Sequence, residues 1–294
     1  MYKIISPASS ANIGPGFDCL GVCLSMANSM VFSEFEDAVV INNHADTIRN
    51  KENLIIKSLF AGCEILGIRL KGVKLDVKTE IPLSRGLGSS ASCICAGVAA
   101  AFLFAGMPLK KNEIFEIAAH LEGHADNVAP NLYGGLTLSY NVDGKYRCER
   151  YQMDEKYQFL ACIPDFKLST RKAREVLPEQ YPREDIVFNM TRVGILLGAL
   201  QTGNQREIAV GLQDKLHQPY RLPLVKDYEI IESICRDAGV LGTYLSGAGP
   251  TIMSIIDDKD IVKKVSHAVR DAGLNWQIEL LDVNYQGLEC YRLK

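Results

Sequence analysis

The stretch that most constrains this chain is PLSRGLGSSAS, Pro82 to Ser92. Before it, Val73, Leu75, Val77, Thr79 and Ile81 alternate with Lys and Asp, the pattern of a strand with one wet face. After it, Ser89 to Gly106 is a run of small and apolar residues that reads as a tightly packed helix. A glycine loop between a strand and a helix is suited to anions. Gly86 and Gly88 let backbone N–H groups approach a ligand with no Cβ in the way. The free N–H groups and positive dipole end of the helix attract phosphate. Ser89, Ser90 and Ser92 add hydroxyls for phosphate oxygens or a Mg²⁺ ion. A glycine turn with a serine cap would look the same in isolation, so the loop must be judged with its neighbours.

Two commoner phosphate loops do not fit. The P-loop pattern G-x-x-x-x-G-K-[ST] is absent. The dinucleotide pattern G-x-G-x-x-[GA] does match Gly86, Gly88 and Ala91. Its strand should be a buried apolar run, however, and it wants an acid about 20 residues on. Here the strand alternates, and the first acid after the loop is Glu113.

Composition removes other classes. The net charge is -3 and like charges do not cluster, which excludes a nucleic-acid arm and a polybasic membrane patch. No apolar run is long enough to span a bilayer, and the N-terminus lacks the layout of a signal peptide. The cysteines, odd in number and without a C-x-x-C pair, read as reduced thiols in a cytoplasmic protein. His44, His120, His217 and His267 have no metal-ligand spacing and read as surface or packing residues.

Three further segments stand out. Pro7 to Gly21 (PASSANIGPGFDCLG) is dense in Ser, Asn, Gly and Pro and reads as a site-shaping loop; its Asp18 suits a substrate ammonium. Glu122 to Pro130 (EGHADNVAP) opens a second turn-rich stretch that runs on to Gly135. Leu245 to Ile255 (LSGAGPTIMSI) is a second Gly-x-Gly turn feeding an apolar strand. Helical spacing covers Asn53 to Gly67, and also Asn112 to Glu122 with Asn112 as its cap. Strands and helices are mixed rather than alternating, which predicts an α+β fold. The charged stretch Arg150 to Tyr157 is the natural boundary, giving domains 1–155 and 156–294.

Together these segments resemble the GHMP family of small-molecule kinases. P-x-x-x-G-L-G-S-S-A is matched at every defined position from Pro82 to Ala91, S-A-N-x-G-x-G-F-D from Ser10 to Asp18, and H-x-D-N-V-A-P from His124 to Pro130. T-x-x-A-R at Thr170 to Arg174 and D-K-x-x-x-P-x-R at Asp214 to Arg221 point to the branch that acts on L-homoserine. The resemblance covers nearly the whole chain. It implies an N-terminal ribosomal protein S5 domain 2-like domain, a ferredoxin-like C-terminal domain, a site between them, and a homodimer.

It also implies roles. Pro82, Leu83, Ser84, Arg85, Gly86, Leu87, Gly88, Ser89, Ser90, Ala91 and Ser92 would form the ATP loop. Ser90 and Glu116, which lies eleven residues before Asn127, would hold Mg²⁺. Asn12, Asp18, Asn127, Thr170, Arg174 and Arg221 would surround L-homoserine, with the two arginines gripping its carboxylate through paired hydrogen bonds. Asn127 and Arg174 would serve catalysis. Some relatives carry an Asp, a candidate base, where this chain has Asn127. Asp126 is expected to point elsewhere, so the resemblance implies transfer without a protein base. Paired arginines beside Asp18 favour an amino acid over a sugar or another small alcohol, and a complete phosphate site argues against a non-catalytic module.

Overall fold

The computed structural model describes residues 1–35, 39–43 and 52–293, so His44 lies outside the described residues. One sheet is drawn from β1 (Tyr2–Ala11), β2 (Leu20–Glu34), β3 (Val39–Asn43), β4 (Val73–Lys78), β5 (Leu136–Val142) and β6 (Lys145–Tyr151). β1, β2 and β4 are antiparallel neighbours in that order, and β3 joins β4 in parallel. β5 pairs with the start of β2 and forms a hairpin with β6. A second, antiparallel sheet contains β7 (Gln158–Pro164), β8 (Gly242–Leu245), β9 (Ile252–Ile256) and β10 (Trp276–Leu281), in the order β10-β7-β9-β8. The chain then returns: β11 (Glu289–Arg292) pairs with β1. A division at residue 155 therefore places this last strand with the wrong sheet.

Helices α1 (Leu54–Ile65), α2 (Ser89–Phe104), α3 (Lys111–Glu122) and α4 (Val128–Tyr133) gather against the first sheet. Phe32, Leu59, Phe102 and Phe115 anchor that core. α2 is apolar and buried around most of its circumference, as a central helix should be. Its Gly97 permits the close approach of α1, since a Cβ there would lie 2.5 Å from the Ile55 carbonyl oxygen. The second half adds α5 (Thr170–Glu175), α6 (Arg183–Thr202), α7 (Ile208–Gly211), α8 (Gln218–Arg221), α9 (Tyr228–Ala238) and α10 (Asp260–Asp271). α10 buries Ile261, Val265 and Val269, one stripe at helical spacing, against the second sheet with α9. The other face of that sheet meets the first: Phe159, Ala161, Met253 and Ile255 share a core with Ala8, Leu20, Val22 and Leu24. No helix among the described residues is long and apolar enough to cross a membrane.

Three local expectations change. Ser6 to Ala11 are strand, not turn; their serines are fully buried and hydrogen-bonded. The HADNVAPNLYGG stretch contains α4. α3 begins at Lys111, and Asn112 instead accepts a hydrogen bond from the Tyr133 hydroxyl at 2.9 Å.

Candidate active site

Where the two sheets meet, a cavity of about 520 Å³ is walled by the glycine loop, the turn after β1, the turn before α4, α5 and Gly247 to Gly249. Gly88 occupies the cap position of α2 with a left-handed φ of 67°, and no side chain caps the helix. The helix N-terminus is therefore open to a ligand. Ser89 Oγ is buried beside it with no hydrogen-bond partner among the described residues. An orphaned hydroxyl at a helix N-terminus on a cavity wall fits a phosphate oxygen. Ser90 Oγ donates to the Glu122 carboxylate at 2.6 Å.

Asn127 stands at the head of α4, on the same wall. Its Oδ1 accepts from Ser9 Oγ at 2.9 Å. Next to it, Asp126 is buried on the cavity wall and bound to His124 Nδ1 at 2.6 Å, so it does not point away as expected. Burial pulls His124 down, but the Asp126 hydrogen bond and the charges of Asp126 and Glu122 carry it above its usual range.

The far end of the cavity is charged. Arg174 on α5 makes a two-bond fork to Asp18, with Nη1 and Nη2 at 3.0 and 2.8 Å from the two carboxylate oxygens. Arg221 on α8 is only 2% exposed and donates to the carbonyls of Ala173 and Gly247 at 3.0 and 3.2 Å. Both guanidinium groups lie over the Phe17 ring, at 5.8 and 5.0 Å. Behind it, His217 is stacked on Phe17, fully buried, with Nε2 2.8 Å from the Gly14 carbonyl oxygen. Asn12 donates to the Gly247 carbonyl at 2.8 Å and accepts the Asp18 N–H at 3.0 Å. It thus shapes the loop that presents Asp18. Thr170, at the first turn of α5, lines the mouth.

Family models for the GHMP kinases N terminal domain and the GHMP kinases C terminal region match residues 53–135 and 196–275. A homoserine kinase from Clostridium botulinum is 38% identical over 289 residues, covering 98% of this chain and 97% of that protein. The chain belongs to the homoserine kinase family. The homoserine kinase of Petrotoga mobilis is 37% identical over 307 residues, covering 99% of this chain and all of the relative. The crystal structure of homoserine kinase from Cytophaga hutchinsonii superposes with a TM-score of 0.88 at 26% identity, covering 98% of this chain and 96% of that one. The architecture is accordingly the two-domain α+β fold of GHMP kinases.

For a homoserine kinase family member, the main correction concerns Glu116. Its carboxylate accepts the Tyr146 backbone N–H at 2.8 Å, on the side of α3 that faces β6. Glu122, one and two-thirds turns later, is the acid of α3 that lines the cavity. Counting back from Asn127 misleads because only Gly123 to Asp126 separate α3 from it. The loop also divides. Leu83, Ser84, Arg85, Gly86, Gly88, Ser89 and Ser90 reach the cavity, whereas Pro82, Leu87, Ala91 and Ser92 do not. Ser92 Oγ is turned into the core, where it donates to the Ser6 carbonyl at 3.2 Å. Arg85 turns its guanidinium to the carbonyls of Pro164, Leu83 and Asp165, and so ties the loop to the end of β7. Beyond the loop the cavity becomes apolar, between Met30, Leu54, Ile55, Val77 and Cys93. These residues had no sequence signal, because they come from four separate elements.

Proposed function

We propose that the protein transfers the γ-phosphoryl group of ATP to the side-chain hydroxyl of L-homoserine, giving O-phospho-L-homoserine for threonine biosynthesis. The observation that carries this reading is a single cavity with an open helix N-terminus at one end, Asp18 with two guanidinium groups at the other, and Asn127 between. The apolar recess beyond Ser90 suits the adenine. Ser90 and Glu122 would hold Mg²⁺, an ion that takes one or two protein ligands and completes its shell with phosphates and water. Burial pushes the Glu122 carboxyl above the usual range, against the Ser90 hydrogen bond and the charge of His124. When bound, the ion offsets charge on the β- and γ-phosphates.

The remaining roles belong to the chain. Asp18 takes the substrate ammonium, and Arg174 with Arg221 takes its carboxylate. Their present pairing is exchanged for these contacts. The α2 N-terminus and Ser89 hold the phosphates. The substrate oxygen then forms its bond to the γ-phosphorus as the bond to the β-bridging oxygen breaks, with its electrons leaving on ADP. The hydroxyl proton passes to a phosphoryl oxygen and on to solvent. Asn127 cannot take it, and Asp126 is engaged by His124. Positioning and charge stabilisation are the dominant contributions in such a reaction. A homodimer and a cytoplasmic location belong to the same reading.

A coupled ADP-release assay with L-homoserine, mevalonate and galactose, with the product identified by ³¹P NMR, tests the proposal. Turnover of L-homoserine alone is expected. Turnover of another alcohol in its place overturns the substrate, and turnover of none overturns the kinase reading.

A further inference from the structure

Ser9 is fully buried in β1, has no place in the phosphate loop, and yet touches both halves of the site. Its N–H donates to the Leu87 carbonyl at 3.2 Å, fixing the backbone of the glycine loop against β1. Its hydroxyl donates to Asn127 Oδ1 at 2.9 Å. Gly88 lies between the two. A Cβ there would overlap Ser9 Oγ and come within 3.0 Å of Asn127 Oδ1, so the three residues form one packed joint.

An amide can be held in two orientations, and they present opposite chemistry. Asn127 lines the cavity, and with Oδ1 on Ser9 its NH₂ group has no acceptor among the described residues. The reverse orientation would aim a carbonyl oxygen at a site built for phosphate, a repulsive arrangement. Building on the function proposed above, we propose that Ser9 is a positioning residue: its hydroxyl donates to the Asn127 amide oxygen and holds the side chain in the orientation that bound phosphate favours, with the amide donor toward the substrate. The consequence is stereochemical. An N–H donated to one lone pair of the substrate hydroxyl leaves the other lone pair for the γ-phosphorus. The hydroxyl proton then has one direction left, toward a phosphoryl oxygen, which is the route a transfer without a protein base requires.

The test is a double-mutant cycle on kcat. Ser9→Ala removes one oxygen and adds nothing, so thermal midpoints should stay close to wild type. Ser9→Ala should lower kcat about tenfold to a hundredfold, a misplacement effect, with both KM values held within about twofold. In an Asn127→Ala background the same change should lower kcat by less than about twofold further, because the residue it acts through is gone. Equal losses in both backgrounds, or an unchanged kcat in Ser9→Ala, would overturn the role of Ser9 while wild-type turnover of L-homoserine still stands. Wild type that ignores L-homoserine but turns over another alcohol removes the substrate assignment alone, and the cycle is then read on that alcohol. Wild type that turns over nothing removes both.

Discussion

Glu122 sits in the last turn of α3, where the negative end of the helix dipole is least favourable to an acid, and it is largely buried there. A residue that breaks a local rule in this way marks function more reliably than spacing does. Glu116 breaks none: it faces a backbone N–H that needs an acceptor. Glu122→Gln should lower kcat/KM for MgATP about a hundredfold and raise the Mg²⁺ concentration needed for half-activation. Glu116→Gln should leave both within about twofold. Magnesium titrations of the two variants decide between them, and the opposite ranking would restore Glu116. Much of the site was legible at this scale, since Asp18, Asn127, Arg174 and Arg221 all face the cavity. Glu122 and Ser9 were not. A sequence lists three acids on one helix without saying which face is covered, and a buried serine reads the same as an exposed one.

At the scale of elements, the phosphate role proposed for α2 rests on a single backbone position, Gly88. Gly88→Ala would force a side chain into a left-handed conformation that costs about 1–2 kcal/mol. It would also drive its methyl group into Ser9 and Asn127. The variant should lose at least about tenfold in kcat/KM and melt measurably lower; an active, equally stable variant would show that the joint can open without harm. Elements with one dominant periodicity, such as α1 and β4, were readable. α4 was not, because six residues buried nearly all round give no amphipathic stripe, and its Asn and Pro read as turn chemistry. The second half of β1 was missed for a related reason. Its serines look solvated in sequence but satisfy one another's neighbours inside: Ser10 Oγ meets Ser246 Oγ at 2.7 Å, and Ser246 Oγ in turn donates to the Gly86 carbonyl.

For the molecule as a whole, the site depends on the joint between sheets, which the family resemblance implied but no local pattern displays. β11 closes the first sheet from the far end of the chain, and pairing at that separation has no local signature. The joint contains His217, whose imidazole is held below its ordinary value of 6.5 by burial, with Asp214 and Asp18 opposing and Arg221 reinforcing. The unfolded chain takes up a proton near that ordinary value, whereas the folded chain resists until a lower pH. Stability present above about 6.5 is therefore lost as pH falls toward the folded-state value. Thermal midpoints should decline on acidification from neutrality, and His217→Gln, with nothing to titrate, should flatten that part of the profile. Equal slopes for the two proteins would place the acid sensitivity elsewhere.

The fork between Arg174 and Asp18 pairs the carboxylate at this end of the site with one of its two guanidinium groups. On the roles proposed for them, a ligand bearing only an ammonium trades one ion pair for another and strands a guanidinium. A ligand bearing only a carboxylate strands Asp18 instead. A zwitterion converts one pair into two and leaves no charge alone. The two ends of an amino acid are then recognised jointly rather than in sum, so the pocket discriminates by counting charges before it measures shape.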